Sequence, residues 1–446
     1  MSRPVTASTA HGALTPTGRG LALGSLALLA ARGVSLVGGV VGLGVISRAL
    51  PEEDFGLWVV VSTLAVLGGV VDGGLTQAMR NRLSRLASLD ERDHEAERQL
   101  FGTVLRVMGV LALLLAGLVV VTSATVPWGQ LVGAQGGDDD ARTLVVVVLC
   151  AYLLGVPLGL GSAGFVAYHQ SSAKGLAEGA QALALLLATL VCAGSGLLAL
   201  AGGYFLVLDG SLFIVLLLFV RSRGWRWRQL RGRTSRSELR SLVREGSGFW
   251  LLAAASIVVF SLNPLVAAHV LGVTEAGELG ATQRLFLFLI TLHFTVLTPL
   301  WSAYAAAAER GEWEWIARAT RRSLAATVLL VIVGGGLLLV TAEPLLRLWL
   351  GRTVTDGPLV LALVAWFGVY ALTNCLSVVL NGTGLVGQQA AFAAGAAVLT
   401  WPVCAWLGQR HGPSGIVWGT VLVVLPGTLA NAVRVRRLLD VKVERS

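Results

Sequence analysis

Lysine is almost missing from this sequence: Lys174 and Lys442 stand against 32 arginines, an imbalance that reads as coding bias. Charge is scarce altogether, at 13% of 446 residues, where a soluble domain carries about 25%. That scarcity excludes an ordinary water-soluble fold. The four cysteines, Cys150, Cys192, Cys375 and Cys404, lie inside apolar stretches without metal-ligand spacing. They read as small apolar residues, and no metal site is expected. No glycine-rich phosphate loop occurs, so neither direct use of ATP nor a bound cofactor is expected. The basic residues sit in short loops between apolar runs, which speaks against nucleic acid despite a net charge of +9.

What is abundant is apolar: 55% of residues, with mean hydropathy +0.76. A membrane span needs about 20 such residues. Twelve segments qualify, at 24–47, 57–79, 101–122, 143–167, 176–194, 197–220, 248–270, 281–305, 323–341, 358–380, 389–407 and 415–433. The expected fold is therefore an all-α polytopic membrane protein with about 12 transmembrane helices. The tightest pair, at 176–220, is split only by Ala193-Gly194-Ser195-Gly196. The first apolar run, reaching Ser47, is longer than the core of a cleaved signal peptide and reads as a retained span.

The polar break at 221–247 carries nine arginines. Each would cost roughly 2.5–3.5 kcal/mol at the centre of a span, so this loop stays on the side of synthesis. Twelve spans then place 26 of the 34 lysines and arginines on its face, as the positive-inside rule requires. Both termini are expected in the cytoplasm. The loop divides the chain into an N-terminal half (1–220), a basic linker (221–247) and a C-terminal half (248–446). The halves echo each other: Leu50 to Gly56 follows the first span as Leu271 to Gly277 follows the seventh. Residues 308–322 read as a short interfacial helix, and Trp58, Trp128, Trp225, Trp227, Trp250 and Trp349 fall near span ends.

The most specific local sequence is Ser47-Arg48-Ala49-Leu50-Pro51-Glu52-Glu53-Asp54-Phe55-Gly56, followed by Asp72-Gly73-Gly74-Leu75-Thr76-Gln77-Ala78 before Arg80 and Arg82. This resembles the polysaccharide or O-antigen (Wzx-type) flippases of the MOP exporter superfamily, in local motif and in helix count along the whole chain. Thr383-Gly384, Gly387 and the short basic tail fit the same pattern. The resemblance implies two six-helix bundles around a central cavity in the bacterial inner membrane. It implies outward movement of an undecaprenyl-diphosphate-linked glycan for cell-surface polysaccharide biosynthesis, with no enzymatic step. Membrane lipids, and a polysaccharide polymerase or glycosyltransferases, would be its partners.

Ionisable groups inside spans are expensive and functional by default. Arg32 lies near mid-membrane by helix count and suits a diphosphate, because its fork gives paired hydrogen bonds. The alternative is a structural ion pair with Asp72 or Asp209. Arg284, beside Gln283, either lines a cavity or snorkels to the outer interface. Asp209, in the middle of the sixth span, is the candidate for ion coupling or for an Arg pair. Asp72 either faces a cavity or caps a helix break at Gly73-Gly74. Glu178 and Arg106 reach interfacial water, and His269 and His293 read as bundle residues. Gly38 and Gly42 suit close helix packing, while Pro157, Pro264 and Pro299 allow kinks. Asn381-Gly382-Thr383 matches a glycosylation sequon on the cytoplasmic face, where it is silent.

Two other classes stay open. A cation-coupled multidrug antiporter of the same superfamily would favour an acidic cavity, and Arg32 counts against it. A membrane glycosyltransferase or polymerase would place metal-binding carboxylates outside, where Glu52-Glu53-Asp54 and Asp138-Asp139-Asp140 lie. The outer loops, all about 20 residues or fewer, leave such an enzyme no acceptor domain.

Overall fold

The structure is a computed structural model and describes residues 18–67, 70–87, 93–134, 139–168, 170–231, 236–351, 357–385 and 387–444. The first span is α1 (Gly18–Ala49); the second is broken into α2 (Glu52–Leu67) and α3 (Leu75–Ala87). α4 (His94–Thr122) is the third, and the short α5 (Trp128–Leu131) follows it. α6 (Asp139–Leu158) and α7 (Leu160–Ala167) make the fourth; α8 (Ser171–Cys192) and α9 (Leu197–Ser222) are the fifth and sixth. The seventh is also broken, into α10 (Arg236–Ser261) and α11 (Asn263–Val270). α12 (Val273–Glu309) is the eighth. α13 (Trp313–Leu330) runs through a π-turn at Val331–Gly335 into α14 (Gly336–Leu350) as the ninth, and α15 (Gly357–Gly382) is the tenth.

α16 (Gly387–Val443) is 57 residues long. At 1.5 Å per residue a straight helix of that length would measure about 85 Å, nearly three times the hydrocarbon thickness. It is two spans. Gly412 has φ +65° and ψ −153°, which reverses the chain just before Pro413. A Cβ on Gly419 would lie 2.8 Å from Cys404 Cα, and one on Gly427 3.0 Å from Phe392 Cβ. These pairings make an antiparallel hairpin, and the described residues hold twelve crossing segments in all.

The surface shows which solvent surrounds them. Val121, Val191, Leu206, Val340 and Val398 leave 75–79% of their area uncovered. In water each would forgo about 1.5–3 kcal/mol of burial; in hydrocarbon they cost nothing. The arrangement is two bundles. One apolar cluster draws only on residues 75–242, including Met79, Phe101 and Phe219, and another only on residues 297–435. A third, built around Val60, Ala267, Leu279 and Trp366, joins the halves.

Two sequence expectations shift. Residues 308–322 are not a separate interfacial helix: α12 runs to Glu309, a turn at Arg310–Gly311 reverses the chain, and α13 continues into the ninth span. α12 also begins at Val273, eight residues before the apolar run at 281. Thr274, Glu275 and Glu278 make that turn look like a loop in sequence. Yet Ala276, Leu279 and Ala281 in it are fully buried, so packing carries the helix past its polar residues.

Candidate transport cavity

The side of the molecule bearing the Arg-rich α9–α10 connection is its basic face. The two broken spans explain the cavity. In the second span, Gly73 (φ +58°) and Gly74 (φ +77°) leave the helical region, which frees backbone groups that must find partners. Asp72 Oδ1 accepts from Gly74 N at 2.8 Å. The carbonyl of Val70 accepts from Trp250 Nε1 at 2.6 Å, and Trp250 belongs to the other half. A side chain on Gly74 would have its Cβ 2.5 Å from Gly246 O. In the seventh span Pro264 cannot donate, so the helix stops and restarts. The Phe260 carbonyl accepts from Gln283 Nε2 at 3.1 Å, and Asn263 Oδ1 accepts from Thr420 Oγ1 at 2.7 Å.

Between these breaks and helices α12, α15 and α16 lies a cavity of about 550 Å³. Asn381 and Gln389 border it near helix ends on the basic face, Arg80 of α3 and Trp250 of α10 line it as well, and Phe260 and Val424 border it deeper. Phe260 stacks on Tyr370 at 3.8 Å between centroids, and beyond that pair the two halves close. Gly277 and Gly56 meet backbone to backbone. Ser47 Oγ donates to Leu350 O at 3.1 Å, Arg48 donates to Leu348 O, and Trp349 Nε1 donates to Val40 O at 2.6 Å. The cavity therefore occupies the basic-face half, and the opposite face is shut.

Its lining is mostly apolar, set with amides and hydroxyls, and nearly uncharged. Asp72 is the one carboxylate and Arg80 the one guanidinium among the described lining residues. The rest are aromatic rings, amides, hydroxyls and aliphatic groups. Thr373 and Thr428 hydroxyls bond each other at 2.6 Å, and Gln389 Nε2 donates to Asn381 Oδ1.

The residues expected from sequence fall in different places. The side chain of Arg32 lies outside the described residues. Asp72 both caps the helix break and lines the cavity. Gln283 is buried, at 4% exposure, in the bond to Phe260 that ties α12 to the broken seventh span. Arg284 lies eleven residues into α12, about 16 Å along it, far deeper than an interfacial group. It lies within electrostatic reach of Tyr204 of α9, across the boundary between the halves. Asp209 faces Gly155 of α6, where a Cβ would come within 2.7 Å of its Oδ1, and that oxygen has no hydrogen-bond partner among the described residues. Arg80 and the amides Asn374, Gln389 and Asn431 were missed in the sequence. Their signal was periodicity: Asn374, Ser377 and Asn381 fall on one face of α15, as Thr428 and Asn431 do on α16.

The architecture is similar to that of several solved structures. An inward-facing multidrug-resistance MATE transporter of the MOP superfamily superposes with a TM-score of 0.74, at 15% identity, over 92% of this chain and 96% of that one. The lipid II flippase MurJ, in an inward closed conformation, gives 0.69 at 14% identity, over 93% and 87%. A MOP transporter from Pyrococcus furiosus, described as having a binding pocket of reverse polarity, gives 0.62 at 17%, over 93% and 95%. This chain has the MOP transporter fold. No family model matches the sequence, and no curated protein sequence does either. Within the fold, the shut face and the cavity on the basic face make the molecule open to one side.

Proposed function

We propose that this chain is a flippase that carries an undecaprenyl-diphosphate-linked oligosaccharide from the inner to the outer leaflet of the bacterial cytoplasmic membrane. The observation that carries the reading is the cavity lining. It is wide, studded with amides and hydroxyls between aromatic and aliphatic groups, and its single acid among the described residues, Asp72, is engaged in capping a helix. A multidrug cation would find little to pair with there; a glycan finds hydroxyls, amides and rings. The positive-inside asymmetry supports a cytoplasmic basic face, with both termini on it, so the open side would face the leaflet where lipid-linked glycans are made. The transporter and flippase names of the structural neighbours support a protein without an enzymatic step. A polymerase and glycosyltransferases would act on either side of it.

A diphosphate cannot cross hydrocarbon without losing its hydrogen bonds. Arg80 at the cavity mouth, Arg284 deeper in α12, and Arg32 on α1 are the groups proposed to meet it in turn, with Asp72 beside the path. Moving a negative charge outward gains roughly 2.3 kcal/mol per 100 mV when the cytoplasm is negative. The membrane potential can therefore drive the step without ATP, and Asp209 is the group proposed to couple an ion to it. The test is reconstitution. Proteoliposomes holding a fluorescent polyprenyl-diphosphate-linked sugar should show protein-dependent loss of signal to a membrane-impermeant reductant. Arg80→Gln and Arg284→Gln should slow it. Ethidium efflux driven by a cation gradient, with no lipid movement, would establish the antiporter reading instead.

A further inference from the structure

Three amides in the C-terminal wall of the cavity are incompletely bonded. Gln389 and Asn431 are each only 3% exposed. Oε1 of Gln389, Oδ1 of Asn431 and Nδ2 of Asn374 have no hydrogen-bond partner among the described residues. All three side chains border the same space. Buried polar atoms left unpaired lower stability, and apolar residues of similar shape would be better tolerated. Since Gln389 Nε2 is committed to Asn381 Oδ1, its oxygen is free to accept.

These three atoms are covered in the ligand-free form, so the amides must turn toward the cavity to meet a ligand, and their unmet valences then define it. It must donate to two carbonyl oxygens and accept from one amide N–H. A phosphate only accepts, and would face two carbonyl dipoles of the wrong sign. A cation would satisfy the oxygens and be opposed by the Asn374 N–H. Hydroxyl groups on adjacent carbons do both. Phe392 and Trp301 border the same cavity, and aromatic rings suit the apolar C–H face of a pyranose. Arg80 lies across the cavity, on α3 of the other half.

We infer that Asn374, Gln389 and Asn431, with Phe392 and Trp301, form a subsite for an uncharged sugar residue, while the anionic part of the ligand is held from α3. This deepens the flippase reading and rests on it.

The experiment uses the full-length protein in detergent and follows quenching of tryptophan fluorescence, since Trp250 and Trp301 both border the cavity. The probes are farnesyl diphosphate, farnesyl-diphosphoryl-linked glucose, galactose and N-acetylglucosamine, and the methyl glycosides of the same three sugars. At least one sugar-bearing lipid should bind about tenfold more tightly than farnesyl diphosphate, the gain expected of one or two added hydrogen bonds. Asn431→Leu should erase that gain with little change for farnesyl diphosphate, and its ligand-free form should melt no lower than wild type. Asn374→Ala should reduce the gain in the same way and serves if Asn431→Leu does not fold. Arg80→Gln should weaken the lipid probes equally and leave the methyl glycosides unaffected. Equal binding of lipids with and without sugar overturns the subsite. Binding of a methyl glycoside that depends on Asn431, with no binding of any diphosphate lipid, keeps the subsite and overturns the lipid reading. If no probe binds, both fail.

Discussion

Gly56 and Gly277 touch: a Cβ on Gly277 would lie 2.9 Å from Gly56 Cα, and one on Gly56 only 2.0 Å from Val273 O. They occupy matching positions in the echoing segments Leu50–Gly56 and Leu271–Gly277. The shut face of the molecule is thus closed at this pair by the absence of side chains.

Gly56→Leu should force that seal apart, since overpacking a tight contact costs about 1–3 kcal/mol. A cysteine introduced at Thr274, in a background without the native cysteines, should react with a thiol reagent about tenfold faster in the Leu variant, the change that 1.4 kcal/mol produces. An unchanged rate in a folded, membrane-inserted protein would mean the glycine contact does not hold the face closed.

The ends of α1 and α14 form a second closure. Ser47, fully buried, and Arg48 donate to the last carbonyls of α14, where a helix C-terminus attracts positive charge. Ser47→Ala should weaken closure by about 1 kcal/mol, and Arg48→Ala by about 0.3–1 kcal/mol. Distances between spin labels on α1 and α14 should broaden toward longer values in both variants. An unaltered distribution in the double variant would exclude these bonds from gating.

On the basic face, Glu245 of α10 pairs with Arg82 at 2.7 Å and Arg85 at 2.5 Å on α3, and Arg82 also donates to Ser241 at 2.6 Å. The groups are partly exposed, so a double-mutant cycle on Arg82 and Glu245 should give a coupling of about 0.5–1 kcal/mol in thermal unfolding. Raising the salt concentration should reduce it. A coupling near zero at low salt would make the pair a bystander.

Asp209→Asn tests ion coupling. If its carboxyl carries the coupled proton, the variant's transport should lose its dependence on a pH gradient while keeping its dependence on membrane potential. Retention of the wild-type pH response would make Asp209 a packing residue against Gly155.

Orientation is checked with cysteines at Ser237 and Gly136. In intact cells a membrane-impermeant thiol reagent should reach the second and miss the first. Labelling of Ser237 from outside would invert the topology, and with it the direction of opening.

The spans were legible because hydropathy averages over about 20 residues, and no soluble helix sustains such a run. The helix break at Asp72-Gly73-Gly74 was legible as one of two roles, and the structure gives that carboxylate both, since one oxygen caps while the side chain borders the cavity. Arg284 was placed too shallow, because the polar start of α12 mimics a loop until Gly56 and Val59 are seen packed against it. The amide wall was hidden for the opposite reason. A single Asn or Gln barely lowers the mean hydropathy of a span, and only the hairpin at Gly412 together with α15 brings Asn374, Gln389 and Asn431 to one surface.

The Arg-rich connection has a mechanical side. Leu230 and Leu242, on either side of its middle, are buried at 4% and 0% exposure with Leu75, Met79 and Leu83 of the first bundle. α10 then bends by 49° between Ser247 and Trp250 before entering the second bundle. The connection is therefore less a tether than a keel, fixed to one bundle and articulated at a single elbow. A rotation of the first bundle would carry Leu230 and Leu242 with it and leave the 49° bend as the hinge.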